Sequence, residues 1–368
     1  MKKISILIVL GIIFFGGSKL FSMLCVKEPE RNREVALDAY FKNQTEQQNF
    51  SGTVLIVQNG TILLKKAYGF ANYELDVSNT LATKFRIGSL TKQFTALAIM
   101  QLQEKGELKV SDKLARYIPD FPNAANITLH QLLTHTSGIF NISTMPDILE
   151  RAKQSITLEK EVDIIKHGKP EFSPGHHYSY NNSGYIVLTS IIEKVSGKSY
   201  ENYMQDHIFK PLGMTSSGVD SPIALIKNRA AGYNKDQRGL INAPYSDMAW
   251  NAGAGELYST IDDMCRWHRA LRNATILSQE YINTLMAPHV QMETDNEWYG
   301  YAFWHVKKTP FGPLIGHRGS AVGFRGVYYY YPDHDVTLIL LSNFMFAPFK
   351  ESIIDALMNI IIRGQETH

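Results

Sequence analysis

The sequence predicts an α+β protein with one antiparallel β-sheet that is flanked by helices and built from both chain ends. A mostly helical domain is inserted between those ends. Strand-like runs stand near the start and the end of the 368-residue chain, and the long segment between them is helical and loop-rich. Because strands must pair to satisfy their backbone groups, the two distant groups of strands are most economically joined in one sheet.

The N-terminal strands are predicted to form a hairpin. Residues 52–57 (GTVLIV) and 62–68 (ILLKKAY) are rich in residues that favour strands, and Asn59-Gly60 lies between them. Asn-Gly favours the positive φ angles of a tight two-residue turn. A helix over residues 33–43 is expected to precede this hairpin.

The C-terminal strands and one buried helix complete the predicted sheet domain. Residues 326–331 (GVYYYY) and 336–341 (VTLILL) are strand-like, and a closing helix is expected over residues 352–362. Residues 91–105 are apolar through their middle and are followed by Gly106. That pattern predicts a buried helix with a glycine directly after its last turn.

The chain is predicted to have three parts. A sheet domain covers residues 33–118 and 271–368, and a helical insert covers residues 119–270. Residues 1–22 stand apart, because a basic start precedes a 14-residue apolar run at residues 4–17. This run fits the core of a signal peptide, about 7–15 residues, better than a spanning helix of about 20. We predict an exported, periplasmic or otherwise extracytoplasmic protein, with an uncleaved membrane anchor as the open alternative.

The charge balance and the cysteine count exclude other classes of function. The chain has 37 Lys and Arg against 35 Asp and Glu, so it lacks the basic excess of a nucleic-acid binder. Cys25 and Cys265 are too few for a cysteine-based zinc site, and no His-Glu-x-x-His motif is present. We expect no metal and no cofactor. The expected partners are a small-molecule or peptide substrate and, in the anchored alternative, a membrane that contacts residues 4–21.

A nucleophile and a base stand together at the start of the buried helix. Ser89 and Lys92 are three residues apart, so they would share one helix face. A serine hydroxyl needs a neighbouring base, and a lysine serves as one where burial lowers its pKa. The apolar residues after Lys92 would supply that burial, and the helix N-terminus suits a developing oxyanion. Taken alone, however, Ser-x-x-Lys arises by chance in many chains.

Two distant segments add groups suited to the same chemistry. Tyr180-x-Asn182 supplies an amide that can dock a carbonyl and a phenol that can shuttle a proton where a nearby cation lowers its pKa. His317-x-Gly319 leads into the last strands, whose edge would line a cleft. With an ordinary pKa of about 6.5, His317 is expected to be a pH-dependent cation.

Three motifs in this order resemble those of the penicillin-recognising serine hydrolases: Ser89-x-x-Lys92, Tyr180-x-Asn182 and His317-x-Gly319. The chain is most similar to the class C β-lactamase and DD-peptidase-related family, which includes esterases and D-aminopeptidases. Residues 132–138 (LLTHTSG), with His135 interpreted as scaffold, and residues 254–260 (AGELYST) fit the same family. The resemblance spans residues 33–362 and implies a β-lactamase/transpeptidase-like fold.

The resemblance implies catalytic roles by position. Ser89 would be acylated, Lys92 would help to deprotonate it, and Tyr180 would exchange protons with the nucleophile or the leaving group. The backbone N–H groups of Ser89 and Ser320 would form the oxyanion hole.

The resemblance also implies a substrate-binding set, which comprises Asn182, His317, Arg318, Gly319 and Ser320. Arg318 replaces a usual threonine and would either bind a substrate carboxylate or point into solvent. The implied reaction is hydrolysis through an acyl-enzyme, with amide bonds of D-amino-acid peptides as the expected substrates of a DD-carboxypeptidase-like or D-aminopeptidase-like enzyme. A carboxylesterase, a class C-like β-lactamase and a weakly catalytic penicillin-binding protein of the cell envelope remain open.

Overall fold

A computed structural model describes residues 28–349 and 351–363 of the chain. The leader predicted at residues 1–22 lies outside these described residues. Within them, every helix is too short or too polar to span a bilayer.

The helices of the described part lie on both faces of a central sheet and between the two groups of strands that form it. They are α1 (Glu28–Glu46), α2 (Thr91–Glu104), α3 (Leu129–Leu133), α4 (Ile148–Arg151), α5 (Leu158–His167), α6 (Asn182–Ser196), α7 (Tyr200–Met204), α8 (Lys210–Leu212), α9 (Ile261–Arg272), α10 (Gln279–Met286) and α11 (Glu351–Arg363).

The strands are grouped near the two ends of the chain, with short strands in the middle. They are β1 (Gly52–Gln58), β2 (Thr61–Tyr68), β3 (Phe70–Asn72), β4 (Val77–Ser78), β5 (Phe85–Arg86), β6 (Gly218–Val219), β7 (Tyr233–Asp236), β8 (Gly239–Asn242), β9 (Leu257–Ser259), β10 (Val290–Gln291), β11 (Glu297–Tyr299), β12 (Trp304–Thr309), β13 (Gly312–Ala321), β14 (Phe324–Tyr331) and β15 (Val336–Ser342).

The main sheet joins the N-terminal hairpin to the C-terminal strands. It has eight strands in the order β10-β11-β12-β13-β14-β15-β1-β2. Its neighbouring strands are antiparallel, and Gly52 of β1 faces Ser342 of β15. The last strand therefore lies between the first hairpin and the rest of the sheet. The predicted α+β fold, with one antiparallel sheet built from both chain ends, is confirmed.

Both faces of this sheet are buried, which explains the unbroken apolar runs in its central strands. Successive strand residues point to opposite faces. Leu55 and Ile339 pack in the core that contains α2, whereas Val54 and Leu340 pack in the core that contains α1 and α11. A strand with two buried faces has no polar face, so its sequence does not alternate.

The predicted local elements are present with shifted bounds. Asn59 and Gly60 have φ values of 49° and 73°, as a tight hairpin turn requires. Helix α2 begins at Thr91, and Ser89 lies just before it in a 3₁₀ turn over Gly88–Leu90. Ser89 is thus not part of the α-helix that its spacing to Lys92 suggested.

The segment between the two groups of main-sheet strands carries α2 to α10. It also contains a three-stranded sheet in the order β5-β9-β6, which connects β5 near the N-terminal hairpin to strands from the middle of the chain. The domain boundaries at residues 118/119 and 270/271 stay predictions.

Candidate active site

Ser89 and Lys92 meet at the start of α2. The 3₁₀ turn holds Ser89 half-buried, and Lys92 lies fully buried in the first turn of α2, so that its Nζ lies 3.1 Å from Ser89 Oγ. Burial lowers the pKa of Lys92 well below its usual value, because the charged ammonium loses its hydration. The sequence predicted the same direction from the apolar residues that follow Lys92.

The partners of Lys92 determine where its lone pair points. Its Nζ lies 2.7 Å from Asn182 Oδ1 and 2.8 Å from the Ala254 carbonyl oxygen. Both oxygens can only accept hydrogen bonds, and a neutral amine has two N–H groups to give. When both are used in this way, the lone pair of Lys92 is left for the Ser89 hydroxyl. The neutral amine can therefore accept the serine proton.

Asn182 is held by a second serine that sequence reasoning missed. Asn182 is the first residue of α6, and its Nδ2 donates to Ser143 Oγ at 2.7 Å. This contact orients the amide so that Oδ1 faces Lys92 and one N–H remains for a substrate carbonyl. Ser143 is exposed in a turn over Ile142–Thr144. Nothing in its local sequence distinguishes it from an ordinary turn serine.

Tyr180 reaches the nucleophile from the loop that precedes α6. Its phenol is hydrogen-bonded to Ser89, and Lys92 Nζ lies 4.9 Å from its ring centre. Although 37% of Tyr180 is exposed in the cleft, burial raises the pKa of its phenol, and the hydrogen bond with Ser89 offsets only part of that rise. The expectation that a cation lowers the Tyr180 pKa is wrong, because burial also removes the charge of Lys92. The phenol therefore enters the reaction protonated.

His317 is neutral, which corrects a second expectation. It is 5% exposed on β13. Its Nδ1 lies 2.6 Å from the Arg318 carbonyl and its Nε2 lies 2.9 Å from the Tyr299 hydroxyl. We assign the proton to Nδ1, because a carbonyl can only accept, and Nε2 then accepts from Tyr299. Burial, with Lys92 nearby, lowers the pKa of His317 to about 3. The prediction that His317 is a cation in the ordinary pH range of a histidine is therefore wrong, because the side chain is neutral above about pH 3.

Arg318 lies on the opposite face of β13 from His317. Its guanidinium stacks 4.7 Å from the Trp304 ring centre, and its Nε donates to the Tyr329 hydroxyl. It is exposed at one end of an apolar groove of about 190 Å³ that extends to Tyr180. This groove is also lined by Tyr178, Met292, Tyr299, Trp304 and His317. The Arg318 side chain points outward, which is one of its two predicted orientations, and it also lies next to the cleft.

Two glycines allow the Ser89 turn to lie against β13. A Cβ on Gly319 would lie 2.0 Å from the Ile87 carbonyl oxygen, and one on Gly88, whose φ is 52°, would lie 2.5 Å from the Ser320 carbonyl oxygen. Only glycine permits such contacts. The pairing of β13 with β12 ends at Gly316 within the described sheet, so the segment that carries Ser320 has an open edge there. The backbones of Ser89 and Ser320 are thus brought together at the cleft.

His135 supports the segment that carries Tyr180 and Asn182. Its ring lies 4.3 Å from the Tyr180 ring, and its Nδ1 accepts the Asn181 N–H at 3.1 Å. It is 1% exposed, and its Nε2 has no hydrogen-bond partner among the described residues. The residue interpreted as scaffold thus lies directly beneath the tyrosine of the site.

The site combines a serine, a neutral amine, a protonated phenol and a close pair of backbone segments. This combination suits acyl transfer to a serine hydroxyl. Within residues 28–349 and 351–363, no three His, Cys, Asp or Glu side chains are grouped to hold a metal ion.

The fold and the site together define a serine hydrolase of the β-lactamase and penicillin-binding class. Residues 37–359 match the family model described as Beta-lactamase, and the chain belongs to that family.

Three relatives illustrate the similarity. Penicillin-binding protein 4* of Bacillus subtilis (strain 168) is 30% identical over 338 residues, which cover 85% of this chain and 72% of that protein. Teichoic acid D-alanine hydrolase of Staphylococcus aureus (strain MRSA252) is 30% identical over 294 residues, which cover 79% of this chain and 70% of that protein. The crystal structure of a penicillin-binding protein from Bacillus halodurans has a TM-score of 0.77 at 30% identity and covers 86% of this chain and 99% of its own.

Proposed function

We propose that this protein is an exported hydrolase that cleaves amide bonds of D-amino-acid peptides through an acyl-enzyme on Ser89. The observation that carries the proposal is the geometry of Lys92. Its Nζ lies between two groups that can only accept and one hydroxyl that can donate. A buried amine held in this way is a base directed at one serine.

The proton moves of acylation follow from the contacts. As Ser89 Oγ bonds to the substrate carbonyl carbon, its proton passes to Lys92 Nζ, and the N–H groups of Ser89 and Ser320 stabilise the oxyanion. Collapse of this intermediate breaks the C–N bond, and the protonated Tyr180 gives its proton to the leaving nitrogen. Lys92 then returns a proton to the phenolate oxygen of Tyr180. Water reverses these steps to release the acyl group.

The substrate class is supported by the groove and by one relative. The groove of about 190 Å³ between Tyr180 and Arg318 is apolar, and a cavity of about 150 Å³ suffices to hold a benzene ring. It would take an apolar substituent, with the Arg318 guanidinium at its end for a carboxylate. The relative named teichoic acid D-alanine hydrolase supports D-amino-acid chemistry. The signal-like composition of residues 1–22 supports export.

A carboxylesterase is the second candidate, and the neutral state of His317 favours it over a β-lactamase. A lysine in the third motif would provide a cation at the cleft wall. Here burial lowers the pKa of His317 to about 3, so that no charge is present at neutral pH. An ester substrate needs no such cation, because acylation depends on Ser89, Lys92 and Tyr180.

A direct test offers the protein without residues 1–22 a D-Ala-D-Ala peptide, a D-amino-acid amide, a p-nitrophenyl ester and nitrocefin in parallel. We expect the amide or peptide to be turned over with the highest kcat/KM. A fluorophosphonate should add mass to the peptide that contains Ser89, and Ser89→Ala should abolish both signals. Labelling at another residue would refute the site, and turnover of the ester alone would replace the peptidase with the esterase.

A further inference from the structure

The turn that gives Lys92 its carbonyl acceptor is fixed from behind by a buried carboxyl. Ala254 follows Gly253, whose N–H donates to Glu256 Oε1 at 2.7 Å. The Gly253 carbonyl in turn accepts from Thr95 Oγ1 at 2.6 Å. Glu256 is 6% exposed and is used nowhere in the acylation steps.

This turn has little freedom to move. Gly253 has a φ of 61°, and a Cβ there would lie 1.8 Å from Thr189 Oγ1 on α6. The Thr95 hydroxyl that holds Gly253 also contacts the Tyr200 hydroxyl at 2.7 Å. The turn is therefore packed between α2, α6 and α7, and its hydrogen bond to Glu256 helps to hold the neighbouring Ala254 carbonyl in place.

A second buried carboxyl faces the same turn from α5. Glu161 is 0% exposed, and neither carboxyl oxygen makes a hydrogen bond of ordinary geometry within the described part of the chain. The Ala252 N–H and Glu256 are nevertheless near enough to shift its ionisation. Two buried carboxyls that interact disfavour each other's charged forms, and the charge of Glu256 raises the pKa of Glu161.

The charged groups of the described residues that shift the ionisation of Glu256 are acidic. The charged groups that act on it from the packed elements are Glu193 on α6, Glu201 on α7 and Asp220 after β6. Asp220 is itself paired with Arg86 and Arg229. Burial, with a small contribution from these acids, raises the pKa of Glu256 to about 8. The pKa of Glu161 is raised well above its usual value, also mainly by burial.

We propose that Glu256 is a positioning residue that acts in its protonated form, held neutral beside Glu161, and fixes the Ala254 carbonyl against Lys92. This inference rests on the proposed role of Lys92 as the base for Ser89. When Glu256 loses its proton to solvent, its carboxylate still accepts the Gly253 N–H, and a negative charge is placed beside the turn that contacts Lys92. Its charge also favours the ammonium form of Lys92, which has no lone pair for the serine proton.

The test measures the rate of fluorophosphonate labelling of Ser89 between about pH 6 and pH 10 in four proteins. These are wild type, Glu256→Gln, Glu256→Ala and the control Asp263→Asn, which changes a buried carboxyl on α9. Wild type should lose rate as the pH rises through the ionisation of Glu256. Glu256→Gln keeps an oxygen for Gly253 and should match wild type at neutral pH without the alkaline loss. Glu256→Ala leaves a buried N–H unpaired and should be slower by about tenfold or more.

The outcomes separate this inference from the proposed function. Absence of Ser89 labelling in wild type would refute the proposed function itself. Labelling in wild type with the same alkaline loss in Glu256→Gln would overturn the positioning role and leave the proposed function intact. If Glu256→Ala does not fold, Glu256→Gln and Glu161→Gln still test the inference, because both substitutions retain the shape of the side chain. Asp263→Asn should follow the wild-type profile, and a flattened profile there would also overturn the inference.

Discussion

Lys92 shows how one nitrogen with three neighbours can set the direction of a reaction. Two of its neighbours are oxygens that cannot donate, so the protonation state of the amine alone decides what it does for Ser89. The neutral amine accepts the serine proton, and the ammonium gives a hydrogen bond to the serine and blocks it. The lowered pKa of Lys92 is therefore a requirement of the geometry as well as a result of burial.

The first residue-scale prediction concerns Lys92→Arg. A guanidinium stays protonated at all working pH values, so the variant has no base for Ser89. We expect kcat/KM to fall by about 10²-fold or more, as for the loss of a general base. Stopped assays with an activated ester measure this loss, and wild-type kcat/KM should rise with pH through one ionisation below the usual lysine pKa. An arginine variant that retains nearly the wild-type rate would contradict the assigned role.

The second residue-scale prediction concerns the neutral state of His317. Its folded pKa of about 3 lies below its unfolded value, so the unfolded chain binds more protons between these two pH values. Stability should therefore fall as the pH decreases below about 6.5, by up to about 1.4 kcal/mol per pH unit from this group. His317→Gln should remove this contribution while its kcat/KM keeps the wild-type pH profile. Denaturant titrations at several pH values test the first point, and an equal acid slope in both proteins would show that His317 is already charged.

At this scale the sequence located the side chains that meet and predicted the lowered pKa of Lys92, but it did not predict the neutral state of His317 or the residues that support the site. Ser89, Lys92 and Tyr180 carry recognisable spacing. The neutral state of His317 depends on its burial, and its Nε2 contacts the hydroxyl of Tyr299, eighteen positions away in the chain. Ser143 belongs to a turn with no motif of its own. Such contacts arise only when distant segments are packed, so no local pattern contains them.

At the scale of elements, the approach of the Ser89 turn to β13 determines the cleft. This approach depends on Gly88 and Gly319, because a Cβ on either would overlap a backbone oxygen of the other segment. Any larger residue at Gly88 or Gly319 would separate the two backbones that would form the oxyanion hole.

The element-scale prediction is that Gly88→Ala reduces kcat/KM far more than it reduces stability. A methyl group 2.5 Å from the Ser320 carbonyl oxygen must push β13 away. Gly60→Ala is the matched control, because Gly60 also has a positive φ, 73°, but has no atom within 4 Å of its would-be Cβ. Both variants share a backbone strain of about 1–3 kcal/mol, and only Gly88→Ala should lose activity. Equal kinetic losses would refute the close-approach argument.

The central elements could be predicted because their segments of sequence are mainly apolar, as buried elements require. β1 and β15 are mainly apolar and every residue in them is buried, and α2 is buried almost all round. The position of Ser89 in a 3₁₀ turn could not be predicted in this way. It follows from Gly88, whose positive φ lets the chain bend toward β13 before the helix begins.

At the scale of the whole molecule, β15 links the two ends of the chain. It pairs with β1 on one side and β14 on the other. Composition and turn residues predicted one shared sheet and its N-terminal hairpin, but they could not predict that β15 pairs with β1. That pairing is long-range, and a single sequence has no local signal for it.

The molecule-scale prediction concerns Leu340→Ala. Leu340 is 0% exposed at the centre of the sheet, so its truncation should cost about 2–5 kcal/mol. Because β15 joins both groups of strands, near-UV and far-UV circular dichroism should report one coincident transition at a lower temperature. Leu225→Ala is the control, because Leu225 is 90% exposed. Two separate transitions in the Leu340 variant would show that the hairpin and the C-terminal strands fold independently.

The place of β15 also has a consequence for the order of events during synthesis. The N-terminal hairpin leaves the ribosome early. The edge of β1 at Gly52 stays unpaired until Ser342 of β15 has been synthesised. Over that interval the nascent chain has two apolar strand faces and an unpaired edge, which are features that chaperones bind and that aggregates exploit.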